Sequence, residues 1–380
     1  MGVGQVTARE LDNFVRGCDE LGGVEDPRAA DFIADFELIF KSVVDENLNP
    51  FGDAYFNQQM ALYTEISGRE VDQETGEISP IDPVFQADGI NPYRSSDLSF
   101  MSRHVRAIST AMMVAQLRKD ADILDVGSGW GLSSEIIAYC GGQVTSVDIN
   151  PLFVELVRLR ARKLGLPIDA VRGNFDEFQL KKKYDAAFFY ECLHHALRSW
   201  VAVENVGRHL KPGGKIIFAG EPIFDRWINW GMRLDAVSVY CIRKFGWMET
   251  GWSRDFITRA FERAGFKLEL IPFVGLDNGN IGIASRVDET ASFDRNLMLP
   301  FDRLENAIEA KDTYISALEN ELHSWRNRAK ELQVQVDHLD LGRVNLEANI
   351  SAIHSSTSWR ITRPIRKLSG ILNVMNSRRP

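Results

Sequence analysis

Four side chains capable of acid–base chemistry follow two predicted strands in the middle of the chain. Glu191, His194 and His195 come directly after the strand at residues 184–190, and Glu221 follows the next strand. The carboxyl ends of parallel strands meet at one edge of a sheet, where ligands bind. A histidine with a near-neutral pKa can take a proton from an alcohol, and a carboxylate can orient it. The pattern predicts a catalytic role for Glu191, His194 and His195. It predicts a supporting role for Glu221, which would orient the base or bind an acceptor hydroxyl.

Structural roles compete with these assignments. A histidine pair after a strand also packs against a helix or caps one, so the sequence leaves open which of His194 and His195, if either, is the base. Glu221 precedes Pro222 and also fits as an acid in a turn.

A glycine-rich turn precedes these residues. Residues 123–132 (ILDVGSGWGL) indicate a strand, a turn with Gly127, Gly129 and Gly131, and the start of a helix. Glycines permit positive φ and let a ligand approach bare backbone, while a helix N-terminus offers free N–H groups. Asp148 ends the following strand, where a carboxylate can accept both hydroxyls of a ribose. Alone, the loop fits NAD, FAD, S-adenosylmethionine or a tight turn.

Further motifs follow in order: GNFD at residues 173–176, YDAAFFYECLHH at 184–195 and LKPGGKIIF at 210–218. Over residues 100–286 the ordered set resembles the class I S-adenosylmethionine-dependent methyltransferases. The resemblance implies that the cofactor site includes Asp125 and Gly131 of the loop, and that Gly127, Ser128 and Gly129 lie along the methionine part of the cofactor. Asp148 would hold the ribose. Asn174 and Phe175 would contact the adenine, and Tyr190 would lie near the sulfonium. Many members of the family carry Asp where this chain has Asn174. Asn91-Pro-Tyr93 is expected to help close this pocket.

The elements that must position these residues alternate strands with helices, which predicts an α/β, Rossmann-like sheet. The predicted divisions are a helical N-terminal cap (1–98), the methyltransferase domain (99–287) with an aromatic insertion (221–252), a linker (288–300), a coiled coil (301–354) and a basic tail (355–380). Within the cap, residues 28–44 carry apolar side chains at helical spacing. The insertion's rings suit a sugar with apolar faces and hydroxyl rims, or they simply pack a small cap.

Composition narrows the function classes. The net charge of −9 over 380 residues argues against nucleic acid as a partner. The four cysteines are scattered without metal-ligand spacing, so no metal site is predicted. The N-terminal residues lack a basic and an apolar signal region, and no run reaches the roughly 18 apolar residues of a membrane span. A cytoplasmic protein is expected.

A heptad pattern runs through residues 301–354, with Lys311 and Arg343 as its two breaks. It predicts a rod about 80 Å long that joins copies of the chain, as a dimer or a trimer. The tail after it holds six Lys or Arg and no carboxylate, which suits peripheral contact with the inner face of the plasma membrane. Residues 356–366 (STSWRITRPIR) also resemble a signature, S-x-S-W-R-x-T-x-P-[LI]-R, that ends coiled coils in bacterial surface-polysaccharide enzymes.

Together these resemblances predict an enzyme that O-methylates a sugar hydroxyl in O-antigen or capsule synthesis, with a glycosyltransferase as a possible partner. Alternatives are a methyltransferase for a lipid or small metabolite, a nucleotide-sugar C-methyltransferase, and a non-catalytic coiled-coil scaffold. A dehydrogenase is the weakest of the alternatives.

Overall fold

The structure is a computed structural model that describes residues 2–72, 79–272, 280–288, 322, 325–326, 328–330 and 332–366. The chain divides into two compact units, Met1–Glu305 and Asn306–Pro380. The predicted linker lies outside the described residues except for Asp288, as do residues 301–321 of the predicted rod and 367–380 of the tail.

The first unit is built from strands and helices in alternation. Its strands are β1 (Gln5–Thr7), β2 (Glu37–Ile39), β3 (Asp122–Val126), β4 (Gln143–Asp148), β5 (Ile168–Arg172), β6 (Tyr184–Tyr190), β7 (Leu210–Ala219), β8 (Trp230–Met232), β9 (Thr250–Trp252), β10 (Phe266–Pro272) and β11 (Asn280–Arg286). Its helices are α1 (Leu11–Glu20), α2 (Ala30–Ile33), α3 (Asp53–Ser67), α4 (Pro83–Ala87), α5 (Leu98–Ala115), α6 (Leu132–Tyr139), α7 (Pro151–Leu164), α8 (Ser199–Gly207), α9 (Ala236–Phe245) and α10 (Arg254–Arg263).

A seven-stranded sheet has the order β10-β11-β7-β6-β3-β4-β5. The five strands β7, β6, β3, β4 and β5 run parallel, whereas β11 pairs antiparallel with β7 and β10 antiparallel with β11. The predicted Rossmann-like sheet is confirmed, as a mixed sheet. The central strand β6 is apolar except for Asp185, because both faces of the sheet are covered there. Phe188 and Phe189 are neighbours on opposite faces, and both are fully buried.

The N-terminal region and the insertion pack on one another over the carboxyl edge of the sheet. Strands β8 and β9 form an antiparallel pair. The Tyr55 hydroxyl donates to the Trp230 carbonyl oxygen at 2.6 Å, and the Tyr63 hydroxyl donates to that of Gly246 at 2.7 Å. Three of the seven insertion rings, those of Trp230, Tyr240 and Trp252, are buried in this packing.

The expected helix over residues 28–44 is wrong beyond its first turns. Helix α2 ends at Ile33, and β2 then pairs in parallel with β1 from Glu37 to Ile39. The apolar residues of this segment fit helical spacing, which is why the sequence indicated a helix. In the structure, Leu38 is the one buried residue of β2, so burial alternates as in a half-buried strand. Residues 211–214 (KPGG) belong to β7, with an irregularity in register opposite Tyr184 and Ala186.

In the second unit, residues 332–355 are helical and are named α11, and α12 (Thr357–Ile361) follows after a break at Ser356. The Ser356 hydroxyl caps α12 by accepting the Trp359 N–H at 3.2 Å. The Arg366 guanidinium stacks 3.5 Å from the centre of the Trp359 ring. Among the described residues, every helix is too short or too polar to pass through a bilayer.

Candidate functional site

A cavity of about 220 Å³ opens at the carboxyl ends of β3, β4 and β6. Most of the predicted cofactor residues line it. Its wall includes Tyr93, Gly127, Ser128, Gly129, Trp130, Asp148, Phe153, Asn174, Phe175, Tyr190, Glu191, Cys192, His195 and Trp247. Of the segment Asn91-Pro-Tyr93, which was expected to help close the pocket, Tyr93 lies in this wall. Trp130 was not singled out from the sequence, and Trp247 was considered only as one of the insertion's aromatic rings.

The glycine loop presents bare backbone to this cavity. Gly127 has φ +67°, and a Cβ there would lie 2.9 Å from Cys192 Sγ and 3.0 Å from the Phe175 ring. Gly129 has φ +48° and faces open space. Both positions need left-handed backbone that glycine adopts without strain.

Asp148 is held in place by the loop that it faces. One carboxylate oxygen accepts the Gly129 N–H and the other the Asn150 N–H, each at 2.8 Å. A carboxylate oxygen can accept two bonds, so each keeps a lone pair for a ligand hydroxyl. Burial raises the pKa of Asp148 to about 6, against the lowering effect of these two N–H groups.

Asp125 and Gly131 lie behind the loop and outside the cavity wall. Asp125 is 1% exposed and accepts the hydroxyls of Ser133 and Ser134 at 2.7 and 2.5 Å, which ties the strand to the first turn of α6. Gly131 is the N-cap residue of that helix, with φ +87°. Both residues shape the loop without reaching the cavity.

Asn174 lines the cavity, but its side chain is engaged in a local turn. The side-chain oxygen Oδ1 of Asn174 accepts hydrogen bonds from the backbone N–H groups of Asp176 and Glu177, each at 3.0 Å. The side-chain nitrogen Nδ2 donates to the Glu177 carboxylate at 3.1 Å. Phe175 presents a ring to the same wall. The Phe175 ring therefore lines the space for a base, whereas the Asn174 side-chain amide already holds partners.

His195 is the histidine of the pair that reaches the cavity. Its Nδ1 lies 2.8 Å from the Met248 carbonyl oxygen, which can only accept. Nδ1 therefore carries the proton, and in the neutral ring Nε2 is a free acceptor. Burial and the neighbouring His194 lower the pKa of His195 well below its ordinary value, so the ring is neutral near pH 7.

His194 and Glu221 form a buried pair behind that histidine. His194 Nδ1 lies 2.8 Å from a Glu221 carboxylate oxygen, and Glu221 is fully buried. Glu221 also accepts the backbone N–H groups of Cys192, Leu193 and His194 at 2.9 to 3.1 Å. Burial lowers the pKa of His194, but the Glu221 carboxylate outweighs it and the net shift is upward. Glu221 thus orients His194 and the turn, and it does not line the cavity.

Glu249 extends this network and was missed in the sequence because it lies in the insertion. Its carboxylate is 3.6 Å from His194 Nε2 and 3.4 Å from an Arg233 nitrogen. Donor atoms of His194, His195 and Glu249 come within 4.8 Å of one another, which brings together ligand types that hold metals. In this structure the positive charge of Arg233 already faces the Glu249 carboxylate.

Comparison with known proteins shows which family the central segment of the chain matches. Residues 124–218 match the family model described as a methyltransferase domain. This segment is a methyltransferase domain. The predictions of a methyltransferase and of S-adenosylmethionine as its cofactor are confirmed at the level of this domain.

Individual relatives match part of the chain. A ubiquinone biosynthesis O-methyltransferase of Idiomarina loihiensis is 31% identical over 166 residues, which are 43% of this chain and 59% of the relative. A protein of the same name from Xanthomonas axonopodis is 33% identical over 101 residues, 26% of this chain and 42% of the relative. The chain thus spans roughly half the length of these relatives. A solved amino pentose methyltransferase of Micromonospora echinaspora, with S-adenosylmethionine bound, is 19% identical with a TM-score of 0.40 over 55% of this chain and 99% of that one.

The methyltransferase domain's cavity fits this cofactor by its donor set. The loop has no side chain at Gly127 and Gly129, where a ligand would approach, and Asp148 retains lone pairs for ribose hydroxyls. Phe175, Tyr190 and Glu191 line the same cavity, where they would supply an aromatic ring for the adenine and oxygens for a cationic group.

Proposed function

We propose that this chain is an S-adenosylmethionine-dependent methyltransferase that O-methylates a sugar hydroxyl during bacterial cell-surface polysaccharide synthesis. The observation that carries the catalytic part is the Nδ1 contact of His195 with the Met248 carbonyl oxygen, in the wall of the cofactor cavity. It leaves a neutral imidazole with a fixed acceptor atom, which is what the deprotonation of a hydroxyl requires.

The chain's own residues provide binding, orientation and proton removal. Bound S-adenosylmethionine supplies an electrophilic methyl group. Asp148 and the Gly127–Gly131 loop hold the cofactor, and the Nε2 atom of His195 takes the proton of the acceptor hydroxyl. The Glu221–His194 pair keeps the turn that carries His195 in place, because Glu221 binds three successive N–H groups of that turn. The cap over the carboxyl edge limits access of water.

Two features support a saccharide acceptor. Trp247, from the insertion, lines the cavity and contacts His195 with ring centres 5.7 Å apart, so an aromatic ring flanks the proposed base. Residues 356–366 carry the S-x-S-W-R-x-T-x-P-[LI]-R pattern, and the structure gives its Ser356, Trp359 and Arg366 defined partners. We place the enzyme in the cytoplasm, as an oligomer through residues 301–354, beside a glycosyltransferase or the inner membrane face through its tail.

A phenolic acceptor is the second candidate. The relatives reported above are named ubiquinone biosynthesis O-methyltransferases. A histidine base would serve a phenol as well, and phenols ionise more readily than sugar hydroxyls.

The experiment that tests the proposal is the sugar composition of surface glycan from a deletion strain. We expect a methylated sugar to be lost, to return with the wild-type gene and to stay absent with His195→Ala. Full restoration by His195→Ala would favour a scaffold, and unchanged glycan in the deletion strain would contradict the saccharide acceptor. Release of S-adenosylhomocysteine from purified enzyme with a catechol, but not with glycan extracted from the deletion strain, would favour the phenolic candidate.

A further inference from the structure

Helix α5 places a further histidine, His104, behind the wall of the cofactor cavity. The Nδ1 atom of His104 lies 2.5 Å from the Tyr190 hydroxyl oxygen and 3.7 Å from a Glu191 carboxylate oxygen. The His104 side chain is 13% exposed. Tyr190 and Glu191 both line the cavity, so His104 stands immediately behind two of its polar wall groups.

The surrounding structure fixes this cluster. The His104 ring packs against Phe100 and Tyr93, with ring centres 4.3 and 5.6 Å apart. Glu191 has φ +50°, a strained conformation for a residue with a side chain. Its N–H bonds the Ala219 carbonyl oxygen at 3.0 Å, and Gly220 leaves room for it, since a Cβ there would lie 2.4 Å from the Glu191 side chain. A strained residue held this firmly indicates that its position matters.

The hydrogen bond controls where the Tyr190 oxygen directs its lone pairs. If Tyr190 donates to His104, its oxygen keeps lone pairs outside that bond. If His104 donates instead, Tyr190 donates to Glu191 and keeps one lone pair. In either tautomer the rotation of the hydroxyl is fixed and at least one lone pair remains for the cavity.

We propose that His104 is a positioning residue that aligns the Tyr190 hydroxyl so that its oxygen lone pair favours the cationic methyl donor over the neutral product. The inference rests on the proposed function, because it concerns the same cofactor cavity. S-adenosylmethionine carries a positive sulfonium, whereas S-adenosylhomocysteine has a neutral thioether and is otherwise the same ligand. From the cavity wall, a lone pair of the Tyr190 oxygen would therefore stabilise the first ligand and would have little effect on the second.

Calorimetry on the full chain with both ligands tests this role. His104→Phe keeps the ring packing and removes the polar atom, and we expect about 3- to 10-fold weaker binding of S-adenosylmethionine with S-adenosylhomocysteine unchanged. His104→Asn places an amide oxygen or nitrogen near the Nδ1 position and is expected to restore the preference. Tyr190→Phe should reproduce the loss, and the double variant should lose no more than either single one.

The outcomes separate this inference from the proposed function. Equal weakening of both ligands, or of neither, in His104→Phe and Tyr190→Phe would overturn the role of His104 and leave the cofactor assignment intact. A wild-type protein that binds neither ligand would overturn both. If His104→Phe does not fold, nitrogen-15 NMR of labelled histidine decides: the His104 Nδ1 resonance should shift in Tyr190→Phe, and an unchanged resonance would show that the bond is absent.

Discussion

The Nδ1 atom of His195 lies 2.8 Å from the carbonyl oxygen of Met248, which belongs to the insertion between β7 and α10. The contact selects one tautomer, because a carbonyl oxygen cannot donate. It also distinguishes the two adjacent histidines, since His194 turns its Nδ1 to Glu221 instead. The insertion thus determines which histidine can act at the cavity.

His195→Ala is expected to lower kcat by about 10²- to 10⁴-fold, the contribution usual for a general base. S-adenosylmethionine binding, measured by calorimetry, should change little, because Asp148 and the glycine loop provide the cofactor contacts. His338→Ala, in the exposed helix of the second unit, is the matched control and should leave kcat unchanged. A variant of His195 with wild-type kcat would exclude it as the base.

The sheet and the cofactor loop were predictable because their signals are local. The glycine turn at 127–131 and Asp148 at the end of β4 follow from residue types within one strand–turn–helix unit. The distinction between His194 and His195 was not predictable, since it depends on Met248 and Glu221, which are distant in sequence. His104 was missed for the same reason: nothing near it in the chain indicates that Tyr190 is its partner.

Asp125 predicts a pH dependence of stability. Burial raises its pKa to about 6, against the lowering effect of Ser134 and Ser133, from an ordinary 3.8. The folded state holds the proton more tightly than the unfolded one, so the free energy of unfolding falls as pH rises from about 4 to 6 and is level above that. Relative to Asp125→Asn, the wild type should lose on the order of 2 kcal/mol between pH 4 and pH 7. Urea unfolding of both proteins across this range measures the difference.

Asp185 provides the control with the opposite shift. Burial raises its pKa, but hydrogen bonds from Arg118, the Asp122 N–H and Lys211 outweigh this and hold the pKa well below its ordinary value. Its contribution is present above the unfolded pKa and is lost as pH falls below about 4. The difference between wild type and Asp185→Asn should therefore be level from pH 5 to 7. A level difference for Asp125→Asn as well would contradict the raised pKa.

Gly127→Ala is expected to destabilise the fold and to weaken cofactor binding together. The new Cβ would meet Cys192 Sγ at 2.9 Å and the Phe175 ring at 3.0 Å, and the residue would be strained at φ +67°. Gly165→Ala is the matched control, since it has φ +66° and open space around it, so it carries the backbone strain alone. Thermal unfolding should show a larger loss for Gly127→Ala, by about 1–3 kcal/mol. Equal losses would mean that the loop relaxes around the added methyl group.

Leu339 and Leu341 test the proposed coiled coil, because they lie on the same helix and are both exposed within one chain, at 71% and 61%. Leu339 belongs to the core register of the heptad, whereas Leu341 falls on the outer face. A core leucine gains about 1.5–3 kcal/mol from burial in each chain, and a lysine there would place a charge in the seam. Leu339→Lys should therefore shift the oligomer toward monomer at micromolar concentration, while Leu341→Lys leaves the mass unchanged by light scattering. A monomeric wild type, or equal effects of the two substitutions, would rule out the predicted register, and the mass of the wild type would decide between a dimer and a trimer.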